Sequence, residues 1–149
     1  DSAQLLHAVS VRFDARVRAT GRALVVVDDA PQTQLTADSR RLEQALDNLV
    51  ENALRHGSGS IHLGARAYDG IVELHVRDEG PGFPPEFIGK AFERFTRADP
   101  ARGRGGSGLG LSIVQMIARA HGGDARAAND AEGGARVTIE LPVAGPGAA

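Results

Sequence analysis

Residues 38–56 read DSRRLEQALDNLVENALRH, and this stretch decides the fold. One apolar stripe recurs at helical spacing and comprises Leu42, Leu46, Leu49, Val50 and Ala53. Apolar residues at this spacing line one side of a helix, and Asp38 stands where an N-cap belongs. The pattern therefore predicts an amphipathic helix that ends at His56 and packs its apolar side on a core.

A second helix is predicted before this stretch, from Ser2 as its N-cap to roughly Thr20, with Gly21 ending it. Residues 24–27 read as a short buried strand and residues 28–31 as a turn, with a further strand expected near residues 34–36. Downstream, Tyr68-Asp69-Gly70 separates two segments of alternating polarity, residues 61–65 and 71–76. Asp-Gly in such a position is typical of a β-hairpin.

The chain is rich in Gly, Pro and charge over residues 78–106, where short helices are predicted at residues 85–88 and 90–95. A third long helix is expected over residues 107–121, stopped by Gly122 and Gly123. Strands near residues 124–128 and 135–141 follow. The tally indicates an α+β protein, a two-layer α/β sandwich whose mixed, mostly antiparallel sheet is covered on one face by about three helices.

Length and composition place the chain among single-domain globular proteins. It has 149 residues, 42% hydrophobic and 24% charged, and a net charge of −2. That charge gives no electrostatic reason to expect a nucleic acid or a membrane surface as partner. The chain has no cysteine, which fits a reducing, cytoplasmic setting, and its longest apolar run, residues 23–27, is too short to span a bilayer.

A polar strip runs beside the apolar stripe of the predicted helix 38–56. Asn48, Asn52, Arg55 and His56 fall within an arc of about 100° on a helical projection. An amide oxygen is a neutral hard ligand suited to a magnesium ion that carries phosphates, and the two basic side chains could donate to phosphate oxygens. Taken alone, two asparagines on a helix are more often solvated surface residues.

A turn reading Asp78-Glu79-Gly80-Pro81-Gly82 follows a predicted strand. A carboxylate at a strand end can accept a hydrogen bond from an adenine amino group, and Gly80 and Gly82 would let a flat base approach the backbone. The same spacing also describes many ordinary turns.

Residues 106–111 read GSGLGL and lead directly into the third predicted long helix. Free backbone amides and the positive end of the helix dipole favour a phosphate at such a place. The preceding strand of a Rossmann fingerprint is missing, and the Lys-Ser or Lys-Thr pair of a Walker loop is missing too. Arg97, Arg102 and Arg104 precede the glycines and could reach phosphate oxygens, although arginines in a loop are otherwise solubilising.

With these motifs in order, the chain resembles the ATP-binding catalytic domain of bacterial sensor histidine kinases, which has the Bergerat fold. The same superfamily contains gyrase-type topoisomerases, mismatch-repair proteins and a heat-shock chaperone. The resemblance covers roughly residues 24–142. Its asparagine box is similar to residues 42–56, its first glycine box to 78–82, its phenylalanine box to 92–95, and its second glycine box to 106–111.

The resemblance implies a role for each matching residue. Asn52 would bind Mg²⁺, Asp78 would contact adenine, and Arg97 in an ATP lid over residues 96–107 would contact the terminal phosphate. The remaining residues expected around ATP are Asn48, Arg55, His56, Gly80, Gly82, Phe95, Gly106, Ser107, Gly108, Leu109 and Gly110. One departure concerns Ala135, which follows Gly134 where the family often has Ser or Thr, so a hydroxyl contact there is in doubt.

Asn48 separates kinases from hydrolases within this superfamily. The ATP-hydrolysing members carry a glutamate at that position to activate water, and an amide cannot accept the proton. The γ-phosphoryl group would then pass to an imidazole supplied by another domain. Glu51 could assist as a base, but an exposed helical glutamate is the more ordinary interpretation.

The phosphoaccepting histidine itself is not found, because His7 lacks the acidic residue that the family places after it. The expected partners are therefore ATP or ADP, a separate dimerisation domain carrying the phosphoacceptor histidine, and a response regulator. The full-length protein would be a membrane-anchored homodimer with this domain in the cytoplasm. Residues 1–142 would form the domain, with an N-terminal helix over 1–21 and a disordered tail over 143–149. The alternatives are a nucleotide-dependent interaction module, such as an anti-sigma-type serine kinase or clamp ATPase, and a degenerate binding domain.

Overall fold

The computed structural model describes residues 1–30, 33–93 and 110–143. Its elements in chain order are α1 (Ser2–Ala19), β1 (Leu24–Asp29), α2 (Ser39–His56), β2 (Ile61–Tyr68), β3 (Ile71–Arg77), α3 (Pro85–Ile88), α4 (Gly110–Ala120), β4 (Asp124–Asn129) and β5 (Ala135–Pro142). The strands form one sheet in the order β1-β2-β3-β5-β4, in which β1 runs parallel to β2 and the other pairs are antiparallel. The predicted fold class is confirmed.

The core lies between one face of this sheet and helices α1, α2 and α4. Along β3, Val72, Leu74 and Val76 are at most 3% exposed and point to the helices, while the residues between them belong to the opposite face. Helix α2 contributes the whole apolar stripe predicted from the sequence, with exposures between 0% and 6%. It packs against α1 on one side and α4 on the other, so it is the central helix of its layer.

The hairpin between β2 and β3 confirms the prediction made from the Asp-Gly pair. Asp69 and Gly70 have φ values of 48° and 76°, the left-handed pair that a two-residue type I′ turn requires. The turn fixes the register, in which Tyr68 lies opposite Ile71 and His62 opposite Arg77. On the helix-free face, this register sets which side chains of β2 and β3 are neighbours.

The start of α2 is joined to the end of α4. The Asp38 carboxylate accepts from the backbone N–H groups of Arg40 and Arg41, which confirms the predicted cap. The backbone N–H of Asp38 donates to Nε2 of His121 at 3.0 Å, so the proton of that ring lies on Nδ1, which donates to the Ile117 carbonyl at 2.8 Å. This imidazole aligns the two helices.

The prediction that Ser2 caps α1 is wrong. Asp1 is the cap and accepts from the backbone N–H of Gln4, whereas the Ser2 hydroxyl is buried and donates to the Ala30 carbonyl. Ser2 therefore anchors α1 to the residue after β1, a long-range contact that the local pattern does not contain.

Three other predictions differ from the structure. Strand β1 is exposed rather than buried, because it is an edge strand and Val25, Val26 and Val27 are 36%, 43% and 47% exposed. Residues 34–36 form a loop instead of a strand. The helix expected over residues 90–95 is a series of turns up to Glu93, and the rest of it lies outside the described residues. Within the described ranges, no helix is long and apolar enough to cross a bilayer.

Substitution of Gly123 tests the packing of β4 against β5. A Cβ at Gly123 would lie 1.7 Å from the Glu140 carbonyl oxygen, so we expect Gly123→Ala to lower the free energy of unfolding by at least about 1–3 kcal/mol. Gly89→Ala is the matched control, since a Cβ there meets open space and φ is −68°, and it should change stability by less than about 0.5 kcal/mol. Denaturant unfolding measures both, and equal losses would contradict the contact.

Candidate functional site

The polar strip of α2 is half-buried and open to a ligand. Asn48 and Asn52 lie one turn apart beside the apolar stripe. Neither side-chain amide makes a hydrogen bond to another residue that the structure describes. Two neutral amides are therefore available to an external polar group.

The basic end of the strip is formed by Arg55 and His56 in the last turn of α2, where both are exposed. Partial desolvation and then the charge of Arg55 lower the pKa of His56. The imidazole is accordingly neutral at pH 7, so it offers one N–H donor while Arg55 supplies the positive charge.

Glu51 points away from this strip toward α1. Both of its carboxylate oxygens accept from the Arg16 guanidinium, at 2.5 and 3.1 Å. That hydrogen-bonded pair lowers the pKa of Glu51, although partial desolvation opposes the shift. One turn earlier on α2, both carboxylate oxygens of Asp47 accept from the guanidinium of Arg12. The acidic side of α2 is therefore bound to α1.

Asp78 follows β3 directly and is 5% exposed. Its Oδ1 accepts from the backbone N–H of Gly80 at 2.7 Å, while Oδ2 lies over Gly57, where an added Cβ would come within 2.5 Å. Oδ2 makes no hydrogen bond to a described residue and is not among the atoms fully shielded from solvent. One oxygen thus orients the carboxylate and the other remains free to accept.

The backbone around Gly134 and Ala135 supports Asp78. The Asp78 N–H donates to the Ala135 carbonyl at 3.1 Å, and the Ala135 N–H lies 3.4 Å from Oδ1. Gly134 has φ of 93°, and a Cβ there would lie 1.9 Å from the Asp78 carbonyl oxygen. Main-chain atoms of residues 134 and 135 therefore hold Asp78 in place.

Asn129, at the end of β4, is a supporting residue that the sequence analysis missed. Its Oδ1 accepts from the Phe83 N–H at 2.6 Å and its Nδ2 donates to the Phe83 carbonyl at 3.0 Å. Gly82, with φ of 83°, passes so close that a Cβ would lie 2.5 Å from Oδ1. The only sequence signal is an amide at a strand end, which is too common to have indicated this contact.

The loop after α2 brings the two predicted motifs together. The Glu79 N–H donates to the Ser58 carbonyl at 2.9 Å, and the Glu79 carboxylate accepts from the Ser60 N–H at 3.1 Å. Gly80 packs on Ser58 with little space for a side chain. The end of the polar strip and the turn at residues 78–82 therefore form one surface.

The second glycine motif is described only in part. Gly110 is the first residue of α4, which packs beside α2, and its Cα faces open space. Phe95, Arg97, Gly106, Ser107, Gly108 and Leu109 lie outside the described residues, and so do Arg102 and Arg104. No group of three or more His, Cys, Asp or Glu residues among the described ones could hold a metal ion. A side-chain amide oxygen such as that of Asn52 fits a Mg²⁺ ion that takes its other ligands from phosphates and water.

Comparison with known proteins gives consistent matches. Residues 37–145 match the family described as histidine kinase-, DNA gyrase B-, and HSP90-like ATPase. The chain is 46% identical over 142 residues to sensor histidine kinase component HK1 of Mycobacterium tuberculosis, covering 95% of this chain and 82% of that protein.

Two solved structures have the same fold. Full-length ShkA in complex with AMPPNP superposes with a TM-score of 0.85 at 33% identity, over 99% of this chain and 31% of that one. Histidine kinase ThkA in complex with response regulator protein TrrA superposes with a TM-score of 0.77 at 28% identity, over 94% and 40%. This chain thus spans less than half of each of these two proteins. On the family match and on its asparagine helix and glycine turn, the chain belongs to the histidine kinase-, DNA gyrase B- and HSP90-like ATPase family, as the ATPase domain of a sensor histidine kinase.

Proposed function

We propose that this domain binds ATP with Mg²⁺ and transfers its γ-phosphoryl group to a histidine of a separate dimerisation domain, for relay to a response regulator. The observation that carries the proposal concerns the amides of Asn48 and Asn52, which have no hydrogen-bond partner among the described residues and lie on a helix whose end packs against the Asp78 turn. This surface offers acceptors, donors and close backbone approach along the length of a nucleotide.

The proposal assigns the described residues along the nucleotide. The free Oδ2 of Asp78 accepts from the adenine amino group, while Gly80 and Gly82 allow the base to approach the backbone. Asn48, Arg55 and His56 donate to phosphate oxygens. Asn52 holds Mg²⁺ through its amide oxygen, and the ion, when bound, neutralises phosphate charge. Arg97, Phe95 and the glycines from 106 to 110, with Ser107 and Leu109, complete the phosphate pocket by the family resemblance.

The acidic groups of α2 explain why ATP would persist in this site. Asn48 cannot take a proton from water, and the carboxylates of Asp47 and Glu51 are bound to arginines of α1. The phosphoryl group therefore waits for a stronger nucleophile, the imidazole of the dimerisation domain. Of the two interpretations of Glu51, we propose that it binds α1 to α2 and does not serve as the base.

The comparisons support the partners in this proposal. The ShkA structure contains AMPPNP, and the ThkA structure contains a response regulator. We extend both ligand classes to this domain, ATP directly and the response regulator through the phosphorylated histidine. The full-length protein is proposed to be a membrane-anchored homodimer with this domain in the cytoplasm.

Asn52→Ala tests the proposed metal ligand. We expect at least a tenfold loss of Mg·ATP-analogue affinity, equal to about 1.4 kcal/mol, by titration calorimetry. Without Mg²⁺ the wild type should bind as weakly as the variant. Gln44→Ala removes an exposed amide from the same helix and should change affinity less than twofold. Unchanged binding by Asn52→Ala, or steady ATP hydrolysis by the wild type, would argue against the proposal.

Asp78→Asn tests the proposed adenine contact. Replacing the charged acceptor should weaken ATP binding at least tenfold, since hydrogen bonds to charged groups contribute about 1.5–3 kcal/mol. The preference for ATP over GTP should fall as well, measured by competition against a fluorescent analogue. Asp69→Asn removes an acid at the β2–β3 turn, where Asn tolerates the φ of 48°, and should leave both values unchanged. A variant at position 78 with intact selectivity would refute the contact.

Glu51→Gln distinguishes the two interpretations of Glu51. A general base contributes about 10²–10⁴-fold, whereas loss of a surface ion pair costs at most about 1 kcal/mol. We expect the rate of phosphorylation of a separately supplied dimerisation domain to change less than threefold, with a small drop in thermal stability. Arg16→Gln should reproduce both effects. A hundredfold loss of rate in Glu51→Gln, without such a loss in Arg16→Gln, would show instead that Glu51 acts as the base.

A further inference from the structure

The sheet face opposite the helices carries a cavity that the proposed nucleotide site does not use. Its volume is about 460 Å³, and its wall is formed by side chains of all five strands. Asn48, Asn52 and Asp78 do not line it. The cavity is therefore a separate feature of the domain.

One cross-strand row of β2, β3 and β5 lies along the floor of this cavity, which His75 and Thr138 line. Gly64, His75 and Thr138 are direct neighbours across β2, β3 and β5. A Cβ at Gly64 would lie 2.6 Å from Nε2 of His75, so the imidazole occupies the space above that glycine. Thr138 is only 3% exposed. The floor thus presents an imidazole and a hydroxyl below the level of the surrounding side chains.

His75 carries one nitrogen that is not paired. Its Nδ1 is buried and has no hydrogen-bond partner among the residues that the structure describes. Burial and then the charge of Arg136 lower the pKa of His75 to about 4, so the ring is neutral at pH 7. Leaving a buried polar nitrogen unpaired costs about 1–3 kcal/mol, so this row of the sheet is less well paired than the core.

The next row places two arginines directly opposite each other. Arg77 on β3 pairs in register with Arg136 on β5, an arrangement in which like charges repel. Asp130 is their shared carboxylate. It accepts from Nε of Arg136 at 3.0 Å but lies 3.7 Å from Nε of Arg77, beyond hydrogen-bond distance.

Arg77 is consequently a nearly buried cation with too few acceptors. Its side chain is 13% exposed, and it makes no hydrogen bond through its guanidinium to any described residue. A guanidinium has five N–H donors, and desolvating them without acceptors is costly. The residues Arg77, Arg136, His75 and Thr138 line the same cavity.

At the opposite rim, the buried carboxylate of Glu73 already has its hydrogen-bond donors. Glu73 is 4% exposed and accepts from Tyr68 and from both Arg66 and Arg126. Burial would raise the pKa of Glu73, but these three donors lower it, so the carboxylate is ionised and its charge is neutralised. Asp29 also lines the cavity but is an exposed carboxylate of the edge strand β1, so the positive charge that lacks acceptors lies at the end that holds the two facing arginines.

We infer that this cavity is a second binding site, which takes a small phosphate-type oxyanion between Arg77, Arg136, His75 and Thr138. Guanidinium groups match the geometry of phosphate oxygens and can donate two parallel hydrogen bonds. A tetrahedral anion would relieve the repulsion between the facing arginines and supply the acceptors that Arg77 lacks. It would also accept from the Thr138 hydroxyl.

The test is a titration of the ¹⁵N-labelled 149-residue chain with inorganic phosphate, followed by NMR at constant ionic strength. We expect saturable shifts of the amides of Arg136, Val137 and Thr138, with half-saturation at about 1 mM or below. Amides of Asn48 and Asn52 report the nucleotide site in the same spectra, so the two sites are read separately. Acetate, a planar oxyanion, should bind at least tenfold more weakly than phosphate.

Two variants and one control complete the test. Arg136→Gln should weaken phosphate binding at least fivefold. Thr138→Val keeps the volume of the side chain and should weaken it about threefold even if the arginine variant unfolds. Arg119→Gln, on the exposed side of α4, should leave it unchanged. Shifts confined to the nucleotide site, shifts that never saturate, or equal affinity in Thr138→Val and the wild type would each overturn the inference.

Discussion

The contact between the Asp78 carboxylate and the backbone of Gly57 is the constraint on which the site depends. Because any side chain at position 57 would come within 2.5 Å of that carboxylate, the end of α2 can approach the end of β3 only through a glycine. The approach brings a helix from one layer and a strand from the other to a common edge. Helix α2 is held in turn by its apolar stripe and by the bond from its N-cap residue to His121. The positions of the asparagines relative to Asp78 follow from these restraints.

Secondary-structure elements that are determined by their own residues could be predicted from the sequence. Helix α2 has a continuous stripe and a cap within its own residues, and the β2–β3 hairpin has an Asp-Gly pair with the required left-handed φ values. The predictions were wrong where a contact with a residue distant in sequence determines the local structure. Ser2 does not cap α1 because its hydroxyl donates to the Ala30 carbonyl, and β1 is exposed because it is an edge strand of the sheet that the structure describes.

The same distinction applies to the candidate site. Asn48, Asn52, Arg55, His56 and Asp78 belong to short motifs, so each could be named from its neighbours in sequence. The residues that support the site belong to the far end of the chain. Asn129 and Ala135 reach residues 78–83 only because β5 pairs with β3 and β4 with β5, and strand order is not written in any local pattern. The cavity on the helix-free face has the same origin, since Arg77 and Arg136 become neighbours only in the folded sheet.

The α1–α2 interface adds an electrostatic argument about the chemistry of the site. An ATP-hydrolysing site needs a carboxylate free to accept a proton from water. Helix α2 contains three acidic residues within its length, Glu43, Asp47 and Glu51, and each accepts a hydrogen bond from Arg12 or Arg16 of α1. They share one side of α2 at intervals of four residues, so α1 covers them together, and the strip that faces the proposed phosphates carries only amides and basic groups. A single substitution of Asn48 by an acid would therefore add a lone carboxylate beside Arg55 and His56. If hydrolysis is suppressed as proposed, the cause lies in the whole helix pair, because α1 binds the acidic groups of α2 and leaves the proposed nucleotide side without a base.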